Sequence, residues 1–242
     1  MFKTATPTVK GEETRRRIYN SALALFRERG FETATMRDIA SAAGMSLGAA
    51  YHYFASKDAI VLAYYDEVTA EHERRVREQL PAARSLRDRL RVPFHTKLDI
   101  LSDDRPLMGA LLRYAGQPSH PLSFLGENTR QMQLRGMAIF GEALRDEKLA
   151  DDLRVLAPVT LWAMHMGILL YFLYDDSAEQ RRTRRLIDGG VDLFLALFKL
   201  TRLPVFRGTR RKVLDLLHDG GLLPDAERIA RIRDHTITAA AS

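Results

Sequence analysis

The stretch "TATMRDIASAAGMSLGAAYHYFASK", residues 33–57, decides how this chain reads. Thr35 offers an N-cap hydroxyl with Asp38 three residues on, and Met36, Ile39, Ala40 and Ala43 fall on one helical face. Gly44 breaks that short helix, Ser46 caps the next, and residues 47–53 form another ending at Phe54. Two short helices joined by a glycine turn, with small Ala40 and Ala43 allowing close approach, make a helix-turn-helix. Its second helix carries almost no large polar side chain, which raises the question of how it could read DNA.

Working outward, residues 12–29 carry Ile18, Ala22, Leu25 and Phe26 at helical spacing, and Gly30 stops the run. Downstream, Ser56 caps a long helix predicted from Lys57 to about Gln79, ended by Pro81. Phe26, Phe31, Ile39 and Phe54 are the expected core of this N-terminal part.

The chain has 242 residues, 46% hydrophobic and 28% charged, which is ample for a globular core and excludes disordered and collagen-like classes. It has no cysteine. That rules out a disulfide framework, a thiol nucleophile and thiolate metal sites, and fits a reducing interior. The N-terminal residues lack the apolar core of a secretory signal. The apolar stretch from Val155 to Tyr174 is long enough to span a bilayer, but it contains His165 and runs into Asp175 and Asp176, so a buried helix is expected. The net charge of +6 is uneven. Residues 1–57 hold nine Lys or Arg against five acids, residues 205–242 seven against five, and the middle is neutral. A basic N-terminal excess suits a phosphate-facing module, although a solvated surface has the same charge.

The run from Thr35 to Lys57, with Phe26, Arg29, Gly30 and Phe31 before it, resembles the DNA-binding signature of the TetR (tetracycline-repressor) family of bacterial regulators, over residues 12 to about 65. The resemblance implies an all-α fold: a three-helix DNA-binding domain followed by a larger helical ligand-binding and dimerisation domain. It further implies a cytoplasmic homodimer on a palindromic operator of double-stranded DNA, nucleoid-associated when bound and controlled by a small molecule. No cofactor is expected. The expected division is a flexible basic arm at 1–11, the helix-turn-helix domain at 12–57, the regulatory domain at 58–204 and a helical extension at 205–242. By position in the motif, Thr35, Tyr53 and Lys57 match phosphate contacts. Arg37, Leu47, Gly48, Ala49, Tyr51 and His52 match positions facing the groove.

Those residues suggest how a bare helix reads DNA. Gly48 and Ala49 let the backbone sit close to base edges, and Leu47 and Ala49 can touch a thymine methyl. Hydrogen-bond readout falls to His52, Tyr51 and Arg37, the last able to fork onto guanine. DNA shape is expected to share in specificity. Tyr51 has a second reading, as core against the first helix. Lys57 is either a solvated charge or a phosphate contact at a helix N-terminus, whose amides attract anions. Lys3, Lys10 and Arg15 to Arg17 either follow the DNA backbone or are simply solvated.

Residues 156–174 are apolar nearly all round and must be covered on most faces. With 186–198, where Gly189 and Gly190 allow close approach, they resemble the family's dimer-forming helix pair. Trp162, Gly167, Leu170, Gly190, Leu193, Phe194 and Leu197 are the expected interface, the alternative being a hairpin within a monomer. A pocket for an apolar or aromatic effector is expected among Tyr65, Phe94, Met108, Tyr114, Phe140, Trp162, His165 and Met166, although such residues are as a class mostly core. The seven histidines lack paired zinc spacing, no metal site is expected, and no catalytic motif supports an enzyme. The alternative class is a helical binding or scaffold protein with a module that grips DNA without sequence preference.

Overall fold

The computed structural model describes residues 9–223. Ten α-helices and no strand occur among them. They are α1 (Val9–Arg29), α2 (Met36–Ala42), α3 (Leu47–Tyr53), α4 (Lys57–Gln79), α5 (Leu86–Leu101), α6 (Arg105–Ala115), α7 (Arg130–Ala143), α8 (Asp151–Tyr174), α9 (Arg181–Thr201) and α10 (Arg207–Asp219). The described residues divide into two compact units: 9–67 with 103–129, and 68–102 with 130–223. α4 runs across the division between these units, and α6 belongs to the first.

In the first unit the caps act as the sequence requires. Thr35 Oγ1 accepts the Asp38 amide at 3.2 Å while the Asp38 carboxylate accepts the Thr35 amide at 2.9 Å, so both halves of a capping box are formed. At the end of α2, the Met45 amide reaches Ala40 O at 2.9 Å and the Gly44 amide Ser41 O at 3.0 Å. This double closure needs a left-handed residue, and Gly44 supplies it at φ +65°. Ile18, Ile39 and Ala50 are wholly buried and Phe26 and Phe54 nearly so. Residues 9–11, expected within the basic arm, are helical in α1, and the rest of that arm lies outside the described residues. Arg15 to Arg17 accordingly stand on a helix: Arg15 lies 4.7 Å over the Phe54 ring, Arg16 pairs with Glu67 at 2.8 Å, and Arg17 Nη2 donates to Met45 Sδ at 2.8 Å. Lys3 lies outside the described residues.

α6 docks on α1 in this unit. Arg27 grips both carboxylate oxygens of Asp104 at 2.6 and 2.9 Å, and the Tyr64 hydroxyl donates to the same carboxylate at 2.9 Å. Burial pushes the Tyr64 phenol up, with the Asp104 charge adding to it.

The second unit is built on Phe94, Phe140, Phe172, Leu90, Leu98, Leu161 and Ile187, all fully buried. α9 begins five residues earlier than its apolar pattern, because the charged run from Arg181 is helical. Buried Asp175 anchors that start: one carboxylate oxygen accepts the Thr183 amide and hydroxyl at 2.8 and 2.7 Å, the other the Ser177 amide and hydroxyl at 3.0 and 2.6 Å. One side of α9 is pinned to α5 by Arg91 on Asp188 at 2.6 Å, Arg87 on Asp192 at 2.6 Å and Arg184 on Asp99 at 2.7 Å. α10 is anchored through buried Arg210, whose Nε donates to Asp152 at 2.6 Å. Residues 224–242 of the expected helical extension lie outside the described residues.

α8 is long and apolar enough to cross a membrane by length and composition. Leu153, Leu156, Ala157, Leu161, His165, Ile168 and Phe172 nevertheless line a buried face, so it packs as a core helix on that side.

Candidate nucleic-acid interface

α3 is held by its inner side alone. Ala50 is wholly buried and Phe54 is 3% exposed, while Gly48, Tyr51 and His52 face solvent and Leu47, Ala49 and Tyr53 are partly covered. Ser46 Oγ accepts the Ala49 amide at 3.2 Å and is thereby occupied as a cap. Tyr51 is 49% exposed, so it does not pack as core against α1. His52 and Tyr53 meet edge to face at 5.2 Å. Arg37 is exposed on α2. Thr35, Met36, Tyr51, Ser56 and Lys57 together line one shallow surface groove, which brings members of the expected phosphate and groove sets side by side.

Lys57 has a partner that the sequence did not reveal. Its Nζ donates to Phe31 O at 2.6 Å and Glu32 O at 3.2 Å and stands 4.7 Å over the Phe31 ring. Burial lowers its ammonium pKa, with Asp58 and Glu32 acting against that. Lys57 thus ties the start of α4 to the turn before α2, and one N–H remains for another acceptor. The same turn is held from α6, where the Tyr114 hydroxyl donates to Glu32 at 2.7 Å and the Tyr114 ring lies edge-on to Phe31 at 5.2 Å. Glu32, Arg27, Asp104 and Tyr114 were not legible as a set, since the partners lie 77 and 82 residues apart.

The expected pocket residues divide between the units. Tyr65, Met108 and Tyr114 belong to the first unit, and Phe94, Phe140, Trp162, His165 and Met166 to the second. Among the latter, Phe94 and Phe140 lie 5.0 Å apart with His165 at 5.5 and 5.6 Å from them. Trp162 is partly covered and packs on α7, where a Cβ added at Gly136 would meet the indole at 3.0 Å. Of the other expected interface residues, Gly167, Leu170, Leu193 and Leu197 are exposed. Phe194 is partly covered and stacks on Phe198 at 5.2 Å, and Gly190 lies against Met164, 3.5 Å from an added Cβ. No group of three or more His, Asp or Glu positioned for a metal ion occurs among the described residues.

Comparison with known proteins places these features. The family model described as "Bacterial regulatory proteins, tetR family" matches residues 18–64, and that described as "Tetracyclin repressor-like, C-terminal domain" matches residues 89–218, over half of the chain. The chain belongs to the TetR family. The HTH-type transcriptional repressor KstR2 of Mycobacterium tuberculosis is 46% identical over 55 residues, 22% of this chain and 28% of that one. The chain thus spans little more than a quarter of the length of the curated relatives it matches. Among solved structures, a TetR-family regulator of Syntrophomonas wolfei superposes with a TM-score of 0.61 over 77% of this chain and 96% of that one, at 17% identity. Thermus thermophilus FadR, a TetR-family transcriptional repressor in complex with lauroyl-CoA, gives 0.50 over 72% and 92%, at 22% identity. These two likenesses carry the fold. TetR-family members are transcriptional regulators, not enzymes.

Proposed function

We propose that this chain is a cytoplasmic, homodimeric repressor that binds a palindromic operator and is released or engaged by a small molecule in its second unit. The observation that carries the DNA-reading part is the free outer side of α3: Gly48, Tyr51 and His52 face solvent on a helix whose folding contacts lie on the other side. Such a helix enters a major groove without cost to its own domain. Leu47 and Ala49 then offer apolar contact to thymine methyls, Tyr51, His52 and Arg37 supply hydrogen bonds, and Thr35, Tyr53 and the remaining N–H of Lys57 take phosphates. The exposed leucines of α8 and α9 support the dimer. An effector site is supported by the aromatic core around His165 and by the acyl-CoA found in a neighbour of the same fold.

Selection of random duplex DNA by the purified protein at about 0.15 M salt, where nonspecific binding is weak, tests this reading. An enriched palindrome is expected. Specific over nonspecific affinity below about tenfold would instead favour the scaffold reading, since specific binders usually exceed a thousandfold.

Two substitutions separate the roles. Arg37→Ala is expected to relax base choice at one operator position, at about 1–3 kcal/mol for the preferred base. Lys57→Met is expected to weaken all duplexes alike and to lower the thermal midpoint, because it also releases the turn carbonyls of Phe31 and Glu32. Binding titrations on the operator and on single-base variants, with a melt of each protein, check both. Parallel loss without any change of preference would sink the division of roles.

A further inference from the structure

In the second unit a buried ring is left with a polar atom that bonds to nothing. His165 is 4% exposed, and its Nε2 has no hydrogen-bond partner. Around it stand the rings of Phe94 at 5.5 Å, Phe140 at 5.6 Å and His72 at 5.8 Å. His72, 2% exposed, meets Pro93 O through Nε2 at 2.8 Å. A carbonyl only accepts, so this nitrogen carries the proton. One turn further along α5 is partly buried Lys97. No hydrogen bond or ion pair to its ammonium is found among the described residues. Glu73, whose charge acts on Lys97, is already held by Arg135 through two bonds of 2.8 Å. A partly buried cation without an acceptor and a buried imidazole with an unsatisfied nitrogen each cost stability. Lys97 follows Phe94 by three residues on α5, on the same side of the helix, and the Phe94 ring stands 5.5 Å from His165.

We propose that Lys97 and His165, beside Phe94 and Phe140, form the head-group subsite of the effector, and that the effector is a monocarboxylic acid with an apolar body. This rests on the reading above, in which the second unit binds a small molecule. A carboxylate accepts from the Lys97 ammonium and from His165 Nε2–H, satisfying both orphans together. The aromatic rings take the apolar body. One negative charge matches one unpaired cation. A phosphate monoester would bring about −1.5 to −2, with Arg135 already committed to Glu73. A neutral ligand could satisfy His165 but would leave Lys97 stranded. Burial, with the Arg135 charge adding to it, pushes the Lys97 ammonium down to about 8. The low dielectric responsible for this also strengthens a pair with an anion.

The test uses the full chain, with octanoate, decanoate, dodecanoate and phenylacetate against their methyl esters. Calorimetry and release of the selected operator are the readouts. At least one carboxylate is expected to bind about tenfold or more tightly than its ester, and Lys97→Met is expected to abolish that preference while sparing ester binding. Should Lys97→Met fail to fold, the wild-type protein reads the same ammonium: carboxylate affinity should fall as pH rises through about 8, with the esters flat. Two results overturn the proposal: carboxylates binding no better than esters, or a preference indifferent to both Lys97→Met and pH. If esters bind and alter operator affinity, the ligand-responsive reading survives this failure. If neither series nor a cell extract changes operator affinity, that reading fails as well.

Discussion

The double variant Leu193→Glu, Leu197→Glu is expected to be a folded monomer that binds the operator at least about a hundredfold more weakly than the parent. The two leucines are 61% and 53% exposed on α9, and Leu170 on α8 is 47% exposed. Leu186 and Leu200 extend the same exposed row. A hydrophobic surface of this extent on a soluble regulator marks a partner face. The opposite side of α9 is already committed to α5 through Asp188 and Asp192, so the exposed row is what remains for a second copy. Exposed leucines replaced by charge change the stability of one protomer by only about 0.5 kcal/mol. Carboxylates placed in a dimer interface meet desolvation without partners. In the proposed dimer the second half-site is bound at the high effective concentration created by the first, and losing the dimer forfeits that gain. Light scattering gives the mass, a melt the folding and fluorescence anisotropy the affinity. A variant that remains dimeric would place the interface elsewhere.

Acidification from pH 7 to pH 5 is expected to destabilise the unliganded protein by about 2 kcal/mol for each buried neutral histidine. Burial pushes the His72 imidazole down to about 3, with the Lys97 charge acting the same way. His165 is pushed well below its ordinary value by burial, then by His72 and Lys97. In the unfolded chain both rings protonate below about 6.5, while the native state refuses the proton. The unfolded state therefore binds more protons, and stability is lost as pH falls from about 6.5 toward the native values. The carboxylates held low by their partners, such as Asp104 and Asp175, begin to contribute only below their own unfolded range, so the window from 5 to 7 isolates the imidazoles. Urea unfolding at the two pH values measures the effect, and His165→Phe should remove about half of it. A flat profile would mean that these rings take up protons in the native state.

Much of the first four helices was legible because their signals are local. Thr35, Gly44, Ser46 and Ser56 act within three residues of themselves, and the bounds of α2, α3 and α4 follow from them. The placement of α6 was not legible, because it depends on Arg27 finding Asp104 and Tyr114 finding Glu32 across long stretches of chain. The aromatic residues expected to form one pocket were grouped by type, and they belong to both units. The start of α9 escaped for a different reason: Arg181 to Arg185 precede the apolar run at 186–198, and only buried Asp175, reaching Thr183 eight residues on, makes them a helix start. For α3 the sequence supplied candidate contacts, and exposure adds that Tyr51 is free of the core while Lys57 is engaged with the turn carbonyls.

The separation of duties on α3 bears on how such a protein changes over generations. Ala50 and Phe54 fasten the helix, and the outward positions 48, 51 and 52 hold nothing together. Substitutions there escape purifying selection for foldability and, in the proposed repressor, are screened by promoter choice alone. A duplicated copy of this gene could drift toward new target genes in single steps, each intermediate remaining soluble and competent to assemble.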